Sequence, residues 1–175
     1  ARGSLWIKHM PDMSDYTITN YYVPVFEAFK KAGFKYLKID GLRHILFEGL
    51  NIAYEPKEAQ RRLRNFALAA RVALGDDVYL LGCWGMLTEI AGTFDACRIS
   101  LDSLERWFSA HKQMFHFAEF FSSQRIVYLN DPDHIVMHAD PEWSRMRVST
   151  ISLGGGLLTY GDRNEDMNDE LVYML

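Results

Sequence analysis

The chain has 175 residues, of which 49% are hydrophobic and 24% charged, and it carries a net charge of −4. That is enough apolar material for one well-buried core and excludes a disordered composition. A pI near 5.9 argues against a nucleic-acid binder, which would usually show a basic face, and no run approaches the roughly 18 apolar residues of a membrane span.

No secretory signal is visible. The chain begins at Ala1, not at a methionine, and closes on the apolar run Leu171-Val172-Tyr173-Met174-Leu175 with no stop signal, so it reads as a piece of a larger protein. Cys83 and Cys97 are too few for a disulfide framework and are expected as free buried thiols. A disulfide between neighbouring strands is the other option.

In chain order, Leu5-Trp6-Ile7 reads as a strand remnant. Pro11 to Asp15 supplies helix N-cap types. Tyr22, Val25, Phe26 and Phe29 have helical spacing, so a helix is predicted over about 16–32. Pro24 predicts a kink, or a start near Tyr22 to Pro24, and Gly33 is a plausible cap. A short alternating strand follows and ends on Asp40. Residues 41–56 read as a long connection. Residues 58–74 form a strong helix with Leu63, Phe66, Ala67, Ala70 and Leu74 on one face. Its four arginines, Arg61, Arg62, Arg64 and Arg71, read as a solvated face in preference to a phosphate site.

Residues 78–83 are a continuous apolar run, expected as a fully buried strand. A short helix or loop is expected over 86–92 and a very short strand at 96–99. The next helix should start at Asp102 or Ser103, with Leu104, Trp107, Phe108, Phe115, Ala118 and Phe121 as its apolar positions. A strand is predicted over 125–129 and a helix over 141–153, with proline in its first turn. Gly154-Gly155-Gly156 reads as a tight helix-to-strand turn, not a phosphate cradle. A last strand at 157–160 leads to Gly161-Asp162, and a final helix begins near Asn164.

Strands alternating with helices argue for a parallel sheet. Doubly wound sheets and barrels both fit, but no Gly-x-Gly-x-x-Gly follows a strand. The predicted strand ends carry Asp40, Cys83-Trp84, Arg98, Asn130-Asp131 and Asp162. A site assembled from several strand ends is how a (β/α)8 barrel builds its mouth. Five or six units fall short of eight. The expected fold is therefore an incomplete (β/α)8 TIM barrel, about strands 3/4 to 8, with residues 1–175 as part of one catalytic domain.

Two carboxylates stand out. Asp40 has Lys38 two residues before it, pointing the same way along a strand, and Asp102 has Arg98 four before it. A neighbouring cation keeps a carboxylate ionised and competent as a nucleophile. A second carboxyl with a raised pKa can serve as the acid. Glycoside hydrolysis needs such a pair, about 5–5.5 Å apart in a retaining enzyme.

Three motifs then resemble those of the α-galactosidase superfamily, the melibiase-type retaining glycoside hydrolases. Tyr36-Leu37-Lys38-Ile39-Asp40 resembles the family's nucleophile strand. Arg98-Ile99-Ser100-Leu101-Asp102 resembles its acid/base segment, and Asn130-Asp131-Pro132-Asp133 its next strand end. Arg145, Ser149 and Leu153, followed by Gly161-Asp162, resemble its last helix and strand.

The resemblance implies a retaining α-glycosidase acting on a glycoside or oligosaccharide, without cofactor or metal. Asp40 would be the nucleophile and Asp102 the acid/base. Lys38 would bind sugar hydroxyls, Arg98 would contact the 2-position and orient the acid/base, and Cys83 and Trp84 would sit where the 2-position is recognised. The chain departs from the family's common Cys-Glu-Trp-Pro with Cys83-Trp84-Gly85, and it lacks the bacterial Cys-x-x-Gly-Gly, which leaves the sugar open. A non-catalytic carbohydrate-binding barrel is the alternative.

Other chemistries have less support. His134 and His138 are four apart, but Ile135-Val136-Met137 between them looks extended, against a helical zinc pair. Cys83 as a nucleophile lacks a placed histidine or asparagine.

Overall fold

The computed structural model describes residues 12–50, 53–83, 88–138 and 140–174, with the side chains of 47–49 and 174 excepted. Leu5-Trp6-Ile7 and Trp84 lie outside the described residues. The chain divides into two compact units, 1–95 and 96–175.

In the first unit, Asp12 and Ser14 open the helical stretch. Ser14 Oγ accepts the Thr17 N–H at 3.2 Å, capping α1 (Asp15–Thr17). A wider π turn, Ile18–Tyr22, follows, in which the Val23 N–H reaches the Ile18 carbonyl, and then comes α2 (Val23–Lys31) with Pro24 in its first turn. The expected irregularity before Pro24 is this widened turn. Proline has no N–H to continue the ladder, and π turns commonly absorb such breaks. Gly33, at φ +87°, follows the end of α2.

β1 (Tyr36–Ile39) pairs in parallel with β2 (Tyr79–Gly82), placing Tyr36 opposite Tyr79. Their rings stack with centroids 5.8 Å apart. The connection after β1 is not a plain loop. It winds through α3 (Leu42–His44) and a second π turn, Ile45–Leu50. Leu42, Leu46 and Leu50 recur every fourth residue, and all three are buried.

Helix α4 (Pro56–Leu74) buries Leu63, Phe66, Ala67, Ala70 and Leu74, as its spacing predicts. Each large apolar side chain fully buried there contributes roughly 1.5–3 kcal/mol. Phe66 meets Phe26 of α2 at 5.7 Å and Tyr22 at 4.9 Å between ring centroids. The arginines are not simply a solvated face. Arg64 donates to the carbonyls of Glu89 and Ala91. Arg71 donates to the carbonyls of Thr93, Gly75 and Val78 and to Asp95. These two clamp the loop after β2, where Thr88–Ile90 forms a 3-10 turn.

In the second unit, β3 (Ala96–Arg98) pairs in parallel with β4 (Leu129–Asp131), with Cys97 opposite Asn130. The fourth strand lies later than the apolar run 125–129 predicts. Arg125 takes a left-handed φ of +59°, and its N–H closes a turn onto the Tyr128 carbonyl. Ile126 and Val127 are therefore exposed, the first at 81%. The polar Asn130 and Asp131 are inside the strand.

Helix α5 (Trp107–Glu119) starts later than Asp102 or Ser103, because Arg106 before it is extended. Its buried face is also different. Ser109, Ala110, Gln113 and Phe117 point inward, whereas Leu104, Trp107, Phe108, Phe115 and Phe121 are exposed and Ala118 is too. The inner face of α5 packs on α6 (Pro141–Gly154), which demands small residues at close approach.

Asp140 caps α6 by accepting the Glu142 and Trp143 N–H groups at 2.9 and 3.2 Å. Gly155, at φ +66°, ends it. The glycine run has a second cause. A Cβ on Gly154 would lie 2.0 Å from the Phe117 ring, and one on Gly156 2.4 Å. Phe117 is itself buried and cannot yield. Gly154→Ala is expected to cost about 1–3 kcal/mol by overpacking, read as a lower midpoint in thermal denaturation.

The expected strand at 157–160 is reduced to a single parallel bridge, Ile135 with Tyr160. Asn164–Asp166 forms a 3-10 turn before α7 (Asp169–Met174). Ile135, Met137, Ile151 and Leu171 form a buried cluster here, joined by Val148 and Met167. Among the described residues no helix is long and apolar enough to cross a membrane.

Candidate active site

In the first unit, the exposure pattern along β1 alternates, with Tyr36 and Lys38 exposed and Leu37 and Ile39 half-buried. Asp40 continues that alternation, exposed just past the strand's C-terminal end. Its Oδ1 accepts the Gly41 N–H at 2.7 Å, and Gly41 turns the chain at φ +73°. So Asp40 closes a turn and also presents a carboxylate at a strand end. Among the described residues no ion pair or hydrogen bond joins Lys38 to Asp40, so the expected charge pairing is not seen. Cys83 directly follows β2. Its N–H donates to the Ile39 carbonyl at 2.8 Å, and its side chain is buried.

In the second unit, Arg98 ends β3 but does not project from it. It is 5% exposed. Its Nε donates to the Ser100 carbonyl at 3.1 Å, and its Nη2 pairs with Asp102. Asp102 itself is well exposed, at 73% of its side chain. The expected coupling of Arg98 to Asp102 is therefore present in the geometry. Neither Cys83 nor Cys97 is in a disulfide.

The residues around Asp102 that spacing alone did not single out lie mostly in Asn130-Asp131-Pro132-Asp133 and beyond. Asn130 is structural: its side chain bridges the Phe120 carbonyl and the Ser123 hydroxyl. Asp133 is buried, and its Oδ2 accepts the Ser103 N–H at 2.7 Å. Burial pushes its carboxyl up. The His134 ring, the Ser103 N–H and the Arg98 charge more than offset this and hold it at about 2.

A cavity of about 440 Å³ opens beside this loop, lined by Ser103, Glu105, His134, His138 and Asp162 among others. Its polar walls are tied together. The His138 ring pairs with Asp162 through Nδ1 and with Glu105 through Nε2, the latter at 3.2 Å. The hydrogen bond that its ring donates to Asp162 raises the His138 pKa. The ring of His134 lies against Gly161, where a Cβ would come within 2.4 Å of it. The two histidines thus hold a cavity wall. Among the described residues no group of three or more histidine, cysteine or acidic side chains is arranged to hold a metal ion. In the sequence the wall was foreshadowed by Gly161-Asp162 closing the predicted last strand and by the pair His134 and His138.

Parallel strands alternating with helices, with carboxylates just after β1 and at the end of β4, have counterparts among solved glycoside hydrolase structures. No family model matches the sequence. The chain is similar to an α-galactosidase from Thermus thermophilus, TtGalA, solved in complex with stachyose, at a TM-score of 0.72 and 19% identity. That match covers 93% of this chain and 38% of the other. A complex of TtGalA with p-nitrophenyl α-D-galactopyranoside matches equally, at a TM-score of 0.72 and 18% identity over 94% and 36% of the two chains. A GH27 β-L-arabinopyranosidase from Geobacillus stearothermophilus matches at 0.64 and 14% identity, over 88% and 38%. More particularly, then, the chain has the fold of part of an α-galactosidase-type domain. It spans about 38% of the length of the first of these structures.

Proposed function

We propose that the chain is part of the catalytic (β/α)8 barrel of a retaining α-glycosidase, α-galactosidase-like, that hydrolyses terminal α-linked sugars through a covalent glycosyl-enzyme. The observation that carries this is the placement of Asp40 just after β1 and of Asp102 in the loop after β3. Both follow parallel strands, in a chain that folds like part of an α-galactosidase-type domain. Catalytic groups of such barrels are delivered from the C-terminal ends of strands.

In this reading Asp40 attacks the anomeric carbon as the leaving oxygen takes a proton from Asp102. Asp102 then removes a proton from the water that attacks the glycosyl-enzyme and releases Asp40. Lys38, exposed on the same face of β1 as Asp40, hydrogen-bonds sugar hydroxyls. Arg98 orients Asp102 and faces the 2-position. Cys83 and Trp84 are assigned to recognition of the 2-position. The polar cavity beside Ser103 and Glu105 suits a hydroxyl-rich group.

A panel of aryl α-glycosides, applied to the full-length protein with NMR detection of the first anomer released, tests the assignment. Hydrolysis with the α-anomer appearing first is expected. Release of the β-anomer first would overturn retention. Hydrolysis of no member, with sugars still bound, would replace the reading with a non-catalytic carbohydrate-binding barrel.

A further inference from the structure

Asp102 is an exposed side chain on an immobilised peptide. The peptide unit joining Asp102 to Ser103 is held at both ends: Ser109 Oγ donates to the Asp102 carbonyl at 3.0 Å, and Asp133 Oδ2 accepts the Ser103 N–H at 2.7 Å. Ser109 Oγ also accepts the Leu104 N–H at 2.8 Å. The carboxylate end is held separately by Arg98, whose Nη1 lies 3.8 Å from Asp133 Oδ1. Asp133 therefore grips Asp102 twice, once through the backbone and once through Arg98.

Asp133 is itself unusually fixed. It is a non-glycine residue at φ +78°, a conformation that carries strain when a Cβ is present and persists only where surroundings enforce it. Buried hydrogen bonds enforce it. Gln113 Nε2 donates to the carbonyls of Asp133 and His134 at 2.9 and 3.1 Å. The Asp133 N–H donates to Asp131 Oδ1 at 2.8 Å. Gln113, Asp131 and Asp133 are all buried. Strain held in place by buried partners, at a residue hydrogen-bonded to the loop that carries Asp102, fits a requirement for position better than a requirement for stability.

We propose that Asp133 is a positioning residue for proton transfer, fixing the Asp102 peptide and its arginine so that the acid meets the leaving oxygen. This rests on the glycosidase reading with Asp102 as the acid/base. A misplacement of about 1 Å in such a group can cost about 10²-fold in rate.

The test is the dependence of kcat/KM on leaving-group acidity in the full-length protein, using aryl α-galactosides from activated dinitrophenyl to poor alkyl-phenyl leaving groups. Two variants separate position from folding. Asp133→Gly removes the acceptor but suits φ +78°. Asp133→Asn keeps an oxygen for the Ser103 N–H and tolerates the same backbone. The expected result for Asp133→Gly is a loss of roughly 10²-fold on poor leaving groups but within about threefold on activated ones, which need little acid help. Asp133→Asn should recover part of the loss. A uniform drop across all leaving groups in both variants would show a merely structural role and overturn the inference alone. A wild-type protein that cleaves no glycoside would remove the glycosidase reading, and this inference with it.

Discussion

Replacing Asp40 with alanine in the full-length protein is expected to lower kcat on aryl α-galactosides by about 10⁴-fold or more, the scale on which losing a covalent nucleophile acts. The fold should survive, because Asp40 is exposed and, among the described residues, its contact is the 2.7 Å hydrogen bond from the Gly41 N–H. Losing such a bond costs about 0.5–1.5 kcal/mol. That contact also offers an alternative account of Asp40 as a turn residue, and Asp40→Asn separates the two. The amide oxygen can still accept from Gly41, yet it cannot attack an anomeric carbon as a carboxylate does. Both variants should lose turnover alike while circular dichroism stays unchanged. If Asp40→Asn keeps the wild-type rate, Asp40 is only a turn residue.

The parts of the fold legible in the sequence are those where one physical demand dominates. β2 is a continuous apolar run because both of its faces are buried, and α4 shows its helical period because one stripe faces a core. Gly155 is legible as a helix stop because a left-handed residue is needed there. Helix α5 was misread for the opposite reason. Ser109 and Gln113 are drawn inward by hydrogen bonds to the backbone of residues 102, 104, 133 and 134, so burial there does not coincide with hydrophobicity. The aromatic positions that suggested a core face are outside. β4 slipped by several residues because Ile126 and Val127 look like strand yet sit in a turn set by the Arg125 conformation.

The proposed site was legible where a residue is proposed to carry the chemistry and illegible where it only places another. Asp40, Arg98 and Asp102 stand out by type and spacing. Asp133 was visible within a motif, but its partners Ser103 and Gln113 are 30 and 20 residues away in sequence, and such pairings have no local signature. The clamp arginines show the same limit. Arg64 and Arg71 read as surface charge, and only the folded chain reveals that their donors satisfy five backbone carbonyls.

Arg98→Met is expected to destabilise the second unit by roughly 1–2 kcal/mol, below the roughly 3–5 kcal/mol that breaking a tight buried ion pair costs. The methionine can fill much of the arginine's volume, so the loss is mainly electrostatic. It leaves Asp133, with 8% of its side chain exposed, without the guanidinium 3.8 Å away. The cost stays below that range because the His134 ring and the Ser103 N–H still serve that carboxylate and lower its pKa more than Arg98 does. The pH dependence identifies the cause. Asp133 in the folded protein titrates at about 2, below an ordinary value of about 3.9. A depressed carboxyl contributes stability that is present above the ordinary value and lost as pH falls through the folded one. Without Arg98 the folded pKa moves up, and that contribution shrinks. The gap in melting temperature between wild type and Arg98→Met should therefore be full above about pH 4 and narrow as pH drops toward about 2. Thermal denaturation across that range measures it. A gap that stays constant from pH 6 to pH 2 would mean that Arg98 supports the loop through its hydrogen bond to Ser100 and its packing, and not through Asp133.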